Sequence, residues 1–411
     1  MAKKQKKATP KRAPTKHQLS KWQRQAKIRR IVIIAAVVFL VGISSWVGYR
    51  YYKDRIAPSR EVVIRVNDAS FTMGYYVKML DAYTAGMNST DIYLYGDYIA
   101  DMVADEIIKA ELSRQGAKNL DIEVTTEEID AGLTEREWPN DRVYRDIVRA
   151  ALLQEKLEEY FDSQLPDTME QAHVQVMLVE SEEVATELIA EIEAGGNFTA
   201  LAEEFSCSSS IEGDLGWLSE ELMPNTLIAD AAFNLTMGEI SQPIYDETAT
   251  KNVGYWLIEV TGRQDEEVEA RVMLLGSEAE AERVKAELVS GNFSTLAMEY
   301  SQHQSKNSSG ELGWLKQGDM GSEAFDEVAF NITANEVSEP VKDESIQTTG
   351  GYWLVNVVDR GEHQLEEDVK EGLRDKHLND WFVEWKKEST IENLLDPAKK
   401  SWAVDRVLQE R

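Results

Sequence analysis

Hydrophobic and polar residues alternate along this chain in distinct regimes. Ile31 to Tyr49 is apolar apart from Gly42, Ser44, Ser45 and Gly48, and about 20 such residues in a helix cross a hydrocarbon core of ~30 Å. Val62-Val63-Ile64-Arg65-Val66 reads as a strand. Tyr76, Met79, Leu80 and Tyr83 then recur at helical spacing, as do Ile99, Met102, Val103 and Ile107. Thr125 and Glu128 predict a capping box at a helix start, a further amphipathic helix runs from Val143 to Phe161, and Pro166 closes this stretch. From Val174 onward the order is strand, helices, strand, helix, strand, and it occurs twice. Residues 363–411 return to helix, with Leu373, Leu378, Trp381, Phe382 and Trp385 forming an apolar face that a lone helix cannot bury; it is expected to dock back onto residues 61–165.

The duplication is visible in the residues themselves. Gly213-Asp214-Leu215-Gly216-Trp217-Leu218 returns as Gly310-Glu311-Leu312-Gly313-Trp314-Leu315. Ala232-Phe233-Asn234, Glu239-Ile240-Ser241-Gln242-Pro243 and Gly254-Tyr255-Trp256-Leu257 return at the same offset as Ala329-Phe330-Asn331, Glu336-Val337-Ser338-Glu339-Pro340 and Gly351-Tyr352-Trp353-Leu354. The period is too long for a solenoid and fits two tandem α+β domains. The expected layout is a basic tail (1–30), a transmembrane helix (31–49), a helical lobe (61–165), two repeated domains (170–263 and 267–361) and a helical C-terminal segment (363–411). Gly213 and Gly216 are expected to flank a tight turn.

Charge adds an orientation. The net charge is −30, yet residues 1–30 hold twelve Lys/Arg and no Asp/Glu. That run marks the cytoplasmic end of the apolar helix, and Trp46, Tyr49, Tyr51 and Tyr52 supply an aromatic belt at the other. The acidic remainder is then expected outside the cytoplasm, on a single-pass anchor of a bacterial inner membrane. The basic tail is explained by topology, and no nucleic-acid partner is expected. The single cysteine, Cys207, excludes an intramolecular disulfide and a multi-cysteine metal site. No phosphate loop, Ser-His-Asp order or metal-ligand cluster is present in the sequence, so no cofactor or metal is expected.

Each repeat resembles a parvulin-type peptidyl-prolyl isomerase domain: a Phe-x-x-Leu-Ala helix start, a serine loop, Gly-Asp-Leu-Gly-Trp, an Ala-Phe helix, Glu-Ile-Ser-x-Pro and a closing Gly-Tyr strand. The helical lobe and terminal helix resemble the chaperone module of SurA, PrsA and PpiD, and the anchored topology is most like PpiD. The resemblance implies a folding factor whose partners are unfolded or newly exported polypeptides, the membrane and membrane export machinery. It also implies a proline pocket at Met223, Ile228 and Phe233 in the first copy and Met320, Phe325 and Phe330 in the second. The two histidines of the active family map to Val176 and Trp256 in the first copy and to Val272 and Trp353 in the second. The family's loop Asp or Cys maps to Ser208 and His303, with Cys207 one place away. The resemblance therefore implies a chaperone with weak or lost isomerase activity, with two alternatives: an active isomerase using the second pocket, or a non-catalytic structural partner of an export complex.

Overall fold

The computed structural model describes residues 16–211, 213–289 and 291–410, with side chains at 28–30, 32–34 and from 37 to 409. The first fifteen residues of the basic tail lie outside the described residues. Helix α1 (Lys16–Tyr51) continues through a π turn at Tyr52–Ile56 into α2 (Ala57–Ser59). Its apolar side chains, Ile34, Val38, Phe39 and Leu40 among them, are exposed on every side. A helix apolar all round has no amphipathic face with which to sit on a soluble core. Among the described residues this is the one helix long and apolar enough to cross a membrane.

The lobe begins with the β1 (Val62–Val66) and β2 (Ala69–Thr72) hairpin, followed by α3 (Met73–Tyr83), α4 (Ser89–Ala117), α5 (Thr126–Glu135) and α6 (Arg142–Ser163). Caps set these helix starts: Thr72 before α3, Asn88 before α4, and before α5 the two-way Thr125–Glu128 capping box.

The repeats follow. The first contributes β3 (Thr168–Val179), α7 (Glu182–Glu193), α8 (Phe198–Phe205), β4 (Gly213–Ser219), α9 (Thr226–Asn234), β5 (Ile244–Lys251) and β6 (Gly254–Gln264). The second contributes β7 (Glu267–Leu275), α10 (Glu278–Glu287), α11 (Phe293–Tyr300), β8 (Glu311–Leu315), α12 (Glu323–Ala329), β9 (Val341–Asp343) and β10 (Thr348–Gln364). Then α13 (Glu367–Lys387), β11 (Ile391–Asn393) and α14 (Pro397–Glu410) complete the chain.

The chain divides into two compact units, residues 1–160 with 378–411, and residues 161–377. In the first, β11 adds to β1 as a third strand. Helix α14 packs on α4 so closely that a Cβ on Gly96 would lie 2.8 Å from Val404. At the other end of α4, a Cβ on Gly116 would lie 2.7 Å from Trp381. Ala403, Val404 and Val407 join Tyr76, Leu80, Ile99 and Val103 in one core, with Phe382 and Trp385 against it. The terminal segment thus returns to the lobe as expected, except for Leu373, which packs with Leu165, Met169 and Leu222 in the second unit.

The second unit holds two four-stranded sheets, ordered β4-β3-β10-β5 and β8-β7-β6-β9. The repeats do not fold as two self-contained domains. Each sheet takes its long closing strand from the other repeat: β10 pairs with β3 and β5 of the first copy, and β6 pairs with β7 and β9 of the second. Turn chemistry supplies a reason. A two-residue hairpin between β5 and β6 would fall on Asn252-Val253, and the favoured hairpin turns need positive φ at one or both positions. Val253 is β-branched and disfavours the type I′ form, which needs positive φ at both positions, and the chain runs on extended and crosses to the other sheet. There Thr348 and Thr349 of β10 pair with Lys251 and Thr250 of β5. The buried Lys251 ammonium donates to the Gly350 carbonyl, and the Thr348 hydroxyl to the Val253 carbonyl.

One exchanged pair gives a direct test. Gln175 lies opposite Asn356, whose amide donates to it at 3.0 Å. Without exchange, Gln175 would instead face Glu259, the first-copy counterpart of Asn356 at the repeat offset. In a Cys207→Ser background, Gln175→Cys with Asn356→Cys should oxidise to an intrachain disulfide, read as a shift on non-reducing gels, and Gln175→Cys with Glu259→Cys should not. The opposite pattern would refute the exchange.

Candidate functional site

Exchange places the family-motif residues in mixed sets. On one face of the first sheet, Val174, Val176 and Leu178 of β3 meet Trp353, Val355 and Val357 of β10 beneath Met223, Ile228 and Ala232. On the matching face of the second, Trp256, Ile258 and Val260 of β6 meet Val268, Ala270, Val272 and Leu274 beneath Phe325 and Ala329. The period of two along each strand brings these side chains to one face. The opposite faces are covered by α7 with α8 and by α10 with α11. The expectation that each copy builds its own Val-Trp pair is corrected: Val176 shares a core with Trp353, and Val272 with Trp256, while Met223, Ile228 and Phe233 stay together in one core and Met320, Phe325 and Phe330 in the other.

The four positions are interior. Val176 and Val272 have no accessible surface, and each tryptophan retains 2%. Each indole nitrogen is satisfied by a carboxylate on the neighbouring strand: Trp353 Nε1 donates to Asp246 Oδ2 at 3.0 Å, and Trp256 Nε1 to Asp343 Oδ2 at 3.0 Å. The carboxylates are themselves tied down. Asp246 Oδ1 accepts from the Thr248 hydroxyl and from the Thr248 and Ala249 amides. Asp343 accepts from Ser322, from the Ser345 hydroxyl and from the Ser345 amide. Burial alone would raise both acids, and these donors outweigh it and hold both below the ordinary carboxylate value.

The pocket residues divide. Ile228 and Phe325 are fully buried and Met223 nearly so, whereas Phe233, Met320 and Phe330 are half-buried. Only the last three could touch a ligand without the core opening. His303 stacks edge-on against Trp256 with ring centroids 5.5 Å apart, and its Nδ1 lies 2.8 Å from Ser305 Oγ. Burial lowers its pKa, so the ring is neutral at physiological pH. It is packed against the core rather than being a free surface ring. Cys207 is half-buried, and burial raises its thiol to about 11, which keeps it protonated and a poor nucleophile. Ser208 uses its hydroxyl to accept from the Ser210 and Ile211 amides.

The repeated glycine stretch is a bulged edge strand and not a tight turn. Val174 faces Gly216 while the next residue, Gln175, faces Asp214, leaving Leu215 as the extra residue. Leu312 is extra in the same way. Gly216 and Gly313 have φ of 69° and 73°, which glycine adopts without Cβ strain. Asp214 Oδ1 caps the bulge through the Gly216 amide at 2.9 Å and lies 2.7 Å from His173 Nε2. The ring of His173 sits beside Trp217, which contacts His363. Sequence reading missed this His-Asp pair. Setting the two copies side by side exposes it, because the second copy has Glu269 and Glu311 at the matching places.

The buried acids carry a pH dependence. Their folded pKa values lie below the unfolded value of about 3.9. Their contribution is therefore complete above that value and is lost as pH falls through the folded values. Melting temperature measured from neutral pH downward should fall in that window, and Asp246→Asn with Asp343→Asn should melt lower at neutral pH and show a shallower acid limb. An unchanged acid limb would assign the effect to other carboxylates.

The rotamase family model (PPIC-type PPIASE domain) matches this chain twice, at residues 171–262 and 266–359. The chaperone SurA of Chromohalobacter salexigens is 28% identical over 267 residues, 58% of this chain and 57% of SurA. The foldase protein PrsA of Caldanaerobacter subterraneus subsp. tengcongensis is 26% identical over 264 residues, 57% of this chain and 83% of PrsA. Two further SurA chaperones are matched over 50% and 64% of their lengths, so the chain spans between half and two thirds of the SurA proteins it resembles. A crystal structure of PrsA from Bacillus cereus covers 86% of this chain and 92% of its own, at 12% identity and a TM-score of 0.28. Residues 171–262 and 266–359 are thus two PPIC-type, parvulin-type peptidyl-prolyl isomerase family domains, in a chain similar to SurA and PrsA folding factors.

Proposed function

We propose that this protein is a membrane-anchored, extracytoplasmic folding factor that acts mainly by holding unfolded or newly exported polypeptides. Prolyl isomerisation is absent from the first sheet and feeble at the second. The observation that carries this reading is the burial of Val176, Val272, Trp256 and Trp353, the positions to which the family's histidine pairs map. Prolyl isomerisation needs a polar or dry apolar site open to the substrate, able to lower a barrier of about 18–20 kcal/mol that arises from amide resonance. Here both places are filled by packed side chains, and the only polar atom of each indole is already engaged by Asp246 or Asp343. The relatives named chaperone and foldase support polypeptide clients.

Burial of Trp353 also removes it as a stacking surface for client rings. The same burial suits a structural partner of a membrane export complex, and a holding assay separates the two readings. Full-length protein in detergent should leave a proline tetrapeptide relaxing on the uncatalysed scale of about tens to hundreds of seconds, while suppressing aggregation of a denatured client. A robust isomerase rate abolished by Met320→Ala with Phe330→Ala, the half-buried pair of the second pocket, at unchanged melting, would establish the enzyme reading. Failure to suppress aggregation, with no isomerase rate, would establish the structural one.

Topology is tested separately. The exposed apolar surface of α1 suits a bilayer, and the basic residues before it support a cytoplasmic N-terminus. Protease added to spheroplasts should digest the part after residue 60. Full protection would invert the assignment.

A further inference from the structure

The seam between the lobe and its terminal helix is closed by the contacts of Gly96 and Gly116, so a client surface on the lobe must lie elsewhere. Helix α4 presents one. Its inward side is buried through Ile92, Gly96, Ile99, Ala100 and Val103. Its outward side carries Tyr93, Leu94, Tyr95, Tyr98 and Met102, all exposed, with Tyr93 at 79% and Tyr98 at 73%. Leu94, Tyr98 and Met102 follow at steps of four and form one row along the helix, with Tyr95 beside it. Asp97, Asp101 and Asp105 also follow at steps of four and form the adjacent row. Asp101 is paired with Lys400, and Asp91, in the first turn of α4, with Asn88. From Ser89 to Asp105 the helix carries no Lys or Arg. Five large side chains left in water on three turns are a cost to a free monomer and mark a contact surface.

We infer that this face binds an extended polypeptide in which basic side chains alternate with aromatic or aliphatic ones. The inference rests on the holding function proposed above and names its substrate class. An extended chain puts successive side chains on opposite sides, so it can lay apolar groups on the tyrosine row and reach the aspartate row with the lysines or arginines beside them. Charge decides among occupants. A second copy of this chain, at −30, is repelled, and so is an anionic lipid surface. Tyrosine suits a surface that is wet when empty, because its ring is apolar and its hydroxyl stays hydrated.

The test uses full-length protein in nanodiscs of zwitterionic lipid and three fluorescent peptides sharing the same leucine and phenylalanine positions, with lysine, serine or glutamate between them. At low salt the lysine peptide should bind at least about tenfold more tightly than the glutamate peptide, and the difference should shrink as salt screens it. Tyr95→Ser with Tyr98→Ser should weaken all three peptides about fivefold or more, a modest change on the affinity scale, with unchanged melting because both residues are exposed. Asp97→Asn with Asp105→Asn should erase the preference for lysine and leave the serine peptide as it was. Equal binding of lysine and glutamate peptides, indifference to the tyrosine substitutions, or a dimer that those substitutions dissociate would each overturn the inference. If the wild type suppresses client aggregation and the tyrosine variant matches it in every assay, this surface is wrong and the holding function stands. If the wild type suppresses nothing, the holding function itself falls.

Discussion

Each indole-to-carboxylate bond, Trp353 with Asp246 and Trp256 with Asp343, joins residues of opposite repeats, and most of the second unit follows from that pairing. Each bond lies at the start of an exchanged strand, on the edge where that strand meets its new neighbour. Each is buried, and a buried polar group is costly when unpaired. Withdrawing β10 from the first sheet would remove its third strand, expose Trp353 and leave Asp246 short of a donor. The same act would strip Val355 and Val357 from the core over Val176. The two sheets therefore stand or fall together, and a repeat excised at its sequence boundaries carries a closing strand evolved against the other copy's partners.

That constraint reaches the family's chemistry. A histidine pair in this fold needs two polar rings near one groove, hydrogen-bonded and reachable. Here the corresponding positions are Val and Trp that meet across the sheet, and the aspartates that could have oriented a ring orient an indole. The remaining titratable groups nearby are quiet for separate reasons: His303 is neutral and packed on Trp256, and the Cys207 thiol is kept protonated by burial. The His173–Asp214 pair is polar and partly exposed, but by the two-residue side-chain period His173 is on the opposite face of β3 from Val176, where Asp214 caps a bulge.

Much of this was legible in the residues. Period and capping gave the lobe helices, including the two-way contact of Thr125 and Glu128, and the apolar faces of Trp381 and Trp385 required the terminal segment to return to the lobe. The duplication itself was plain. The exchange was not, because each strand sees nearly the same neighbours in either copy: Leu178 and Leu274 face Trp353 and Trp256 at equivalent register positions. Periodicity cannot distinguish two partners with one pattern. The one local signal, a β-branched Val253 where a type I′ hairpin needs positive φ, has no counterpart in the second copy, where Gly350 stands at the same place with a φ of 79°. The glycine stretch was misread for a similar reason, since positive φ serves a bulge as well as a turn. Met102 was read into the helix's inward face by its spacing, although it sits with the exposed tyrosines.

A holding protein without a nucleotide cycle has to release what it binds, and this limits the strength of any single contact. A tyrosine row gains less from covering than an all-aliphatic one would, because the hydroxyls keep their hydration. Exposed aspartates contribute attraction that is modest and screened by salt. Such a surface fits many sequences weakly, and tethering to a bilayer would raise its effective concentration toward chains emerging nearby. Weak contacts also bind without long commitment, since differences in affinity appear mostly in the dissociation rate. On the holding function and client face proposed above, the sheet positions of the family's histidines are closed by packing, while α4 offers a face that is shallow, charged and easily left.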